Sequence, residues 1–164
     1  LYMRDLDYSG QQTGIFIALG VLAEVGIFLI ARRLISQFGV WNLLFVSIAL
    51  TGLRWYVMAA FADTFMVIVL SQLIHALSFG LTHAVSVHFI HQFLPKAYQS
   101  RGQAVYISIA FGLGGAFGNY MAGQQWQQGT NAYETFVTAA VFAAIGALSL
   151  LLCSRKEMES AKAA

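Results

Sequence analysis

Charge is scarce in this sequence. Only 10% of its 164 residues are Asp, Glu, Lys or Arg, where a soluble domain carries about 25%. A chain so poor in charge cannot cover itself with polar surface in water, which excludes the ordinary soluble domain. One cysteine, Cys153, excludes an internal disulfide, and a free thiol packed in a helix accounts for it. The net charge is only +2 and no basic stripe exists, which excludes nucleic acid as a partner. No Walker motif or G-x-G-x-x-G occurs, so direct driving by ATP has no support. Nor is there a nucleophile with a base and an orienting acid, so no enzyme chemistry and no cofactor is expected. The first residues, LYMRDLDYSG, lack the form of a signal peptide. The expectation is a fragment whose upstream part is missing.

What the chain has is hydrophobic length: 59% of its residues are apolar. About 20 apolar residues at ~1.5 Å rise cover the ~30 Å hydrocarbon core of a bilayer. Five such runs are expected, at about 13–31, 43–61, 65–93, 104–123 and 133–153. The fold class is all-α, a polytopic membrane helical bundle. Residues 1–12 read as an interface loop, Gly39 as a helix stop and Pro95 as the end of the third span. The tail after Cys153 reads as disordered beyond its first few residues.

Five spans divide the loops into two sets. One holds Arg32, Arg33, Lys96, Arg101, Arg155, Lys156 and Lys162; the other holds only Arg4. The positive-inside rule puts the first set, and with it the C-terminus, in the cytoplasm. An extracytoplasmic start then implies at least one further helix upstream.

Three ionisable residues on three consecutive spans lie near the midplane. Glu24, Arg54 and His75 each sit roughly 15–16 Å from a span end, close to one mid-membrane depth. Such groups face a protein interior or a water-filled cavity, pair with one another, and mark substrate or proton pathways. Burial would raise the pKa of Glu24 and a nearby Arg54 would lower it. A carboxylate that switches between paired and protonated states suits a proton-coupled carrier; the bland alternative is a static ion pair locking helices together. His83, His88 and His91 do not converge as a metal site requires, and no metal is expected. His83 can face the same cavity as His75, while His88 and His91 read as interfacial. In the fourth span, Gly114 and Gly118 form GxxxG, which reads as tight helix packing. Asn119 and Tyr106 on that span can hydrogen-bond a ligand or a neighbouring helix.

The stretches LGVLAEVGIFLIARRL, LRWYVMA, LIHALSFGLTHAVSVHFI and RGQAVYISIAFGLGGAFG resemble the last five helices of the phenylpropionate permease family. That family is a branch of the major facilitator superfamily. The resemblance covers nearly the whole chain and aligns it with helices eight to twelve. It implies residues 1–164 as a C-terminal transmembrane fragment, with the N-terminal helices as partner. It implies secondary active transport, namely proton symport of a small organic solute such as an aromatic carboxylate across a bacterial inner membrane. Glu24 and His75 would couple the proton. Arg54 would meet the anion, with Trp55, His83 and Asn119 as further substrate contacts and Tyr56 or Phe79 near the ring. A more distant likeness is to lactose permease, whose arginine, histidine and acid correspond to Arg54, His75 and, less closely, Glu24. The acid that lactose permease carries one turn after its histidine is Ser78 here, which leaves the proton to Glu24, alone or with His75. A sugar or nucleoside symporter, or a structural membrane subunit, stays open as the alternative.

Overall fold

The computed structural model describes residues 2–160. It is helical, with no strand among the described residues. A short helix α1 (Tyr2–Asp5) precedes five long ones: α2 (Gly10–Phe38), α3 (Val40–Phe61), α4 (Phe65–Phe93), α5 (99–126) and α6 (Ala132–Leu152). A final helix α7 (Arg155–Ser160) closes the described chain.

Local chemistry sets the boundaries. Ser9 caps α2 through a capping box: its Oγ accepts from the Gln12 amide and the Gln12 side chain accepts from the Ser9 amide. Helix α2 then runs through Arg32 and Arg33 to Phe38, beyond the expected end at residue 31. Gly39 alone turns the chain, at φ 80°, a conformation that favours glycine. Ala62–Thr64 make the tight connection to α4, which covers the span expected from Phe65 to Phe93. Leu94 is extended, as a residue before proline tends to be, and Pro95 stops the helix. Between α5 and α6, Gln127, Gln128 and Gly129 all take positive φ and reverse the chain.

Helices α2, α3, α4 and α6 are long and apolar enough to cross a bilayer. Helix α5 is the fourth of the expected spans. Its length suffices, but it is not among those four; its glycines, Asn119 and four glutamines dilute its apolar character.

Helix α3 packs along α6 and against α4, and α4 is wedged between α2 and α3. Two apolar clusters hold this arrangement. One, at the end bearing Arg32 and Arg33, contains Ile35, Val40, Leu43, Leu44, Leu81 and Val85. The other, at the far end, contains Phe16, Met58, Ala62 and Ile68, covered by Tyr2, Met3, Leu6 and Tyr8. The lead-in is thus a folded cover, with Tyr2 against Trp126 and Phe136, and not a plain loop. The tail is likewise ordered through Ser160. The Glu159 carboxylate accepts from the amides of Val40 and Trp41 at 3.1 and 3.0 Å, capping α3 from across the chain. Lys162 lies outside the described residues. Cys153 is exposed just past α6, not packed within it.

Helix α5 buries no residue. A Cβ at Gly112, Gly115 or Gly118 would meet nothing, and one at Gly114 only its own helix at Ile109. The glycine face expected to pack tightly is not in close contact among the described residues: Gly114 and Gly118 face Thr138, Ala139 and Phe142 of α6 across a cavity of about 310 Å³. Large apolar side chains are also exposed along α2, among them Ile17, Leu22 and Leu29, which suits contact with lipid or further helices.

Candidate functional site: a polar layer at mid-depth

Between the two apolar clusters lies a layer of polar side chains. Its register follows from one bond. The Thr82 and Ser47 hydroxyls are hydrogen-bonded at 2.8 Å, joining α4 to α3, and Thr82 also bonds the Ser78 carbonyl of its own helix. The two helices run antiparallel, so seven residues further along each brings His75 level with Arg54.

Glu24 joins this layer from α2. Its Oε1 lies 3.0 Å from His75 Nε2. Close fit makes the contact possible. A Cβ at Gly80 would meet Glu24 Cγ at 3.3 Å, and one at Gly20 would meet Gln72 Oε1 at 3.1 Å and His75 at 3.8 Å. The two glycines let α2 and α4 approach around the pair. Arg54 is not part of it. Its guanidinium stacks over the Trp55 ring at 4.1 Å, the side chain is buried, and its Nε has no hydrogen-bond partner among the described residues. The three mid-depth charges therefore share one layer but form a Glu24–His75 pair and a separate Arg54. The reason is the wedge: α4 stands between α2 and α3 and intercepts Glu24 first.

Arg54 lines a cavity of about 670 Å³ between α3, α4, α5 and α6. Trp55, His75, Phe79, His83, Tyr106 and Phe111 contribute to its wall, with Ser78 and Thr82. The aromatic residues brace one another. Phe79 stacks on His75 and meets Phe111 edge-on, while Phe111 also meets His83 and Tyr106. The Tyr106 hydroxyl is 3.4 Å from His83 Nδ1.

Two π-helical turns border this cavity: Ala76–Gly80 in α4, directly after His75, and Ser108–Leu113 in α5, the two found among the described residues. A π turn widens the helix by one residue and often marks a functional site. Here the turns carry Phe79 and Phe111, which touch.

Of the residues singled out in the sequence, Arg54, Trp55, His75 and His83 line the cavity, and Glu24 stands behind His75. Asn119 lies elsewhere, exposed in a small groove with Ala122, Gly123 and Trp126. Tyr56 also turns away, into a groove between α3 and α6. His88 lies at the basic end beside Arg32 and Gln92. No cluster of metal ligands occurs among the described residues. Ser47 and Thr82 were missed in the sequence. Thr82 was legible, since His75, Ser78, Phe79 and Thr82 recur at i, i+3, i+4 and i+7 and so share one helix face.

Long apolar helices around a buried polar layer define a multi-pass membrane protein. Residues 1–138 match the model of the MFS_1 like family, and the chain belongs to that family of the major facilitator superfamily. It is 27% identical over 156 residues to the maltose permease of Geobacillus stearothermophilus, covering 92% of this chain and 38% of the relative. It is 30% identical over 131 residues to the probable 3-phenylpropionic acid transporter of Escherichia coli K12, covering 77% of this chain and 33% of the relative. The chain thus spans about a third of the length of these curated relatives. No solved structure matches it significantly.

Proposed function

We propose that this chain forms the C-terminal wall of a secondary carrier that takes an aromatic carboxylate across the membrane together with a proton. The observation that carries the reading is Arg54: a buried guanidinium with no carboxylate partner among the described residues, at the edge of an aromatic cavity. A permanently charged group in a membrane helix needs a counter-charge, and a planar carboxylate matches the guanidinium fork. The solute supplies that carboxylate in this reading. Trp55, Phe79 and Phe111 offer ring faces for its apolar part. Glu24, one side chain removed from the cavity behind His75, supplies the titrating group. The probable 3-phenylpropionic acid transporter among the relatives favours the same solute class.

In this proposal the protein is a carrier, not an enzyme. The basic ends of α2, α4 and α6 face the cytoplasm of a bacterial cell, and further helices complete the bundle. Helix α5 counts as a span alongside α2, α3, α4 and α6, which makes five. Substrate sites of such carriers lie between repeats near the midplane, and the exposed faces of α2 and α5 suit contact with such helices.

The maltose permease relative favours a second reading, a sugar. Trp55 can stack on a pyranose ring and Ser78 and Thr82 can bond its hydroxyls. One experiment separates the two. The full-length protein is placed in vesicles with an imposed pH gradient, and uptake of labelled 3-phenylpropanoate is competed with maltose. The acid reading predicts uptake that maltose leaves unchanged and that Arg54→Gln lowers more than about tenfold, as loss of a charged hydrogen bond requires. Uptake of maltose with no uptake of the acid overturns it.

A further inference from the structure

The cavity has two polar ends, and the aromatic-acid reading uses only one. Arg54 marks the first. His83 and Tyr106 mark the second, and both line the same cavity. His83 lies eight residues beyond His75 on α4, about 12 Å along the helix. Since His75 is level with Arg54, the second polar end sits about 12 Å of backbone depth from the first, towards the basic end. Phe79 and Phe111 lie between, in mutual edge contact.

The chemistry of the second end is specific. Tyr106 Oη and His83 Nδ1 are 3.4 Å apart and the two rings stack at 5.8 Å. If the hydroxyl donates to Nδ1, the Nε2–H remains as a donor and the phenolic oxygen as an acceptor. If Nδ1–H donates to the hydroxyl, the O–H remains as the donor and the other lone pair as an acceptor. In either tautomer the pair can give one hydrogen bond and take one. That is what a solute hydroxyl requires, being itself a donor and an acceptor. A second carboxylate would use only the donor.

We propose that the cavity takes a ring-hydroxylated arylalkanoate. Its carboxylate is held by Arg54, its ring lies against Trp55, Phe79 and Phe111, and its hydroxyl para to the acid arm bonds His83 and Tyr106. The inference rests on the aromatic-acid reading and adds the hydroxyl. It makes Tyr106 and His83 specificity determinants for that group.

The test compares uptake of 3-(4-hydroxyphenyl)propanoate and 3-phenylpropanoate by the full-length protein in the same vesicles. The ratio of the two rates cancels differences in expression and insertion. The expected wild-type ratio is about 10 in favour of the hydroxylated acid, the worth of one or two neutral hydrogen bonds. Tyr106→Phe, which removes one oxygen and keeps the ring, should bring the ratio to about 1, and so should His83→Phe. A wild-type ratio near or below 1 overturns the proposal while leaving the aromatic-acid reading intact. A ratio that stays near 10 in both variants overturns the assignment to these residues. Uptake of neither acid by inserted wild-type protein overturns the aromatic-acid reading, and this proposal with it.

Discussion

Glu24 on α2 and His75 on α4 meet at 3.0 Å across a helix interface that two glycines keep narrow. The contact ties the acid of the polar layer to the helix that lines the cavity. Protonation of either partner changes their bond, and the π turn that follows His75 carries Phe79 into the cavity wall. A change at the pair thus has a short mechanical route to the proposed binding site.

The glycine at position 80 tests how strictly that contact depends on space. A methyl there meets Glu24 Cγ at 3.3 Å, tighter than ordinary contact. Gly80→Ala gains about 0.5–1 kcal/mol of helix propensity and loses about 1–3 kcal/mol to overpacking. A modest net destabilisation is expected. Gly80→Leu should part Glu24 from His75 altogether. Thermal unfolding in detergent and cross-linking between positions 24 and 75 read the two effects.

His75→Ala leaves the Glu24 carboxylate without its partner in a half-buried position. Loss of a hydrogen-bonded partner at such a site costs about 1–3 kcal/mol. His75→Gln, which keeps a donor, should recover part of that. Denaturation midpoints of the three proteins, measured side by side, decide it.

The C-terminal cap is testable at a distance from the cavity. Glu159 accepts from two amides that no helix bond can satisfy. Glu159→Ala should cost about 0.5–1 kcal/mol, since the carboxylate is exposed, and should speed hydrogen exchange at Val40 and Trp41. Gly39→Ala should cost more. Its φ of 80° disfavours a side chain, and the added Cβ would lie 2.5 Å from Glu159 Oε1.

The Thr82–Ser47 bond sets the register of α4 on α3. Thr82→Val keeps the shape and removes the hydroxyl, with its bonds to Ser47 and to the Ser78 carbonyl. Ser47 still donates to the Leu44 carbonyl, so the expected loss is about 1 kcal/mol. Unfolding in detergent measures it.

Hydrophobic length and punctuation made much of the fold legible. The Phe65–Phe93 helix, the stop at Gly39 and the turn at Ala62–Thr64 all follow from runs of apolar residues and their breakers. The common depth of Glu24, Arg54 and His75 was legible for the same reason, because rise per residue fixes depth. Lateral position was not. Helices α2 and α3 are neighbours in sequence, yet α4 lies between them, and so Glu24 met His75 and not Arg54. The π turns were invisible because they are a matter of backbone bonding and not of residue type. Asn119 shares the helix of Tyr106 but stands 13 residues further on, about 20 Å towards the far end, which places it outside the cavity. The capping role of Glu159 joins residues more than a hundred positions apart, and nothing in the local sequence of the tail announces it.

Glu24→Gln decides whether Glu24 carries the coupling proton of the proposed carrier. The substitution keeps size and hydrogen-bonding capacity and removes titration. It fixes the residue in a form resembling its protonated state. In vesicles containing the full-length protein with an imposed pH gradient, the variant should lose uphill accumulation of the aromatic acid. It should retain exchange of labelled for unlabelled solute, which needs no net proton movement. Full uphill accumulation by the Glu24→Gln protein would contradict the account and leave the Glu24–His75 contact as a clamp between two helices.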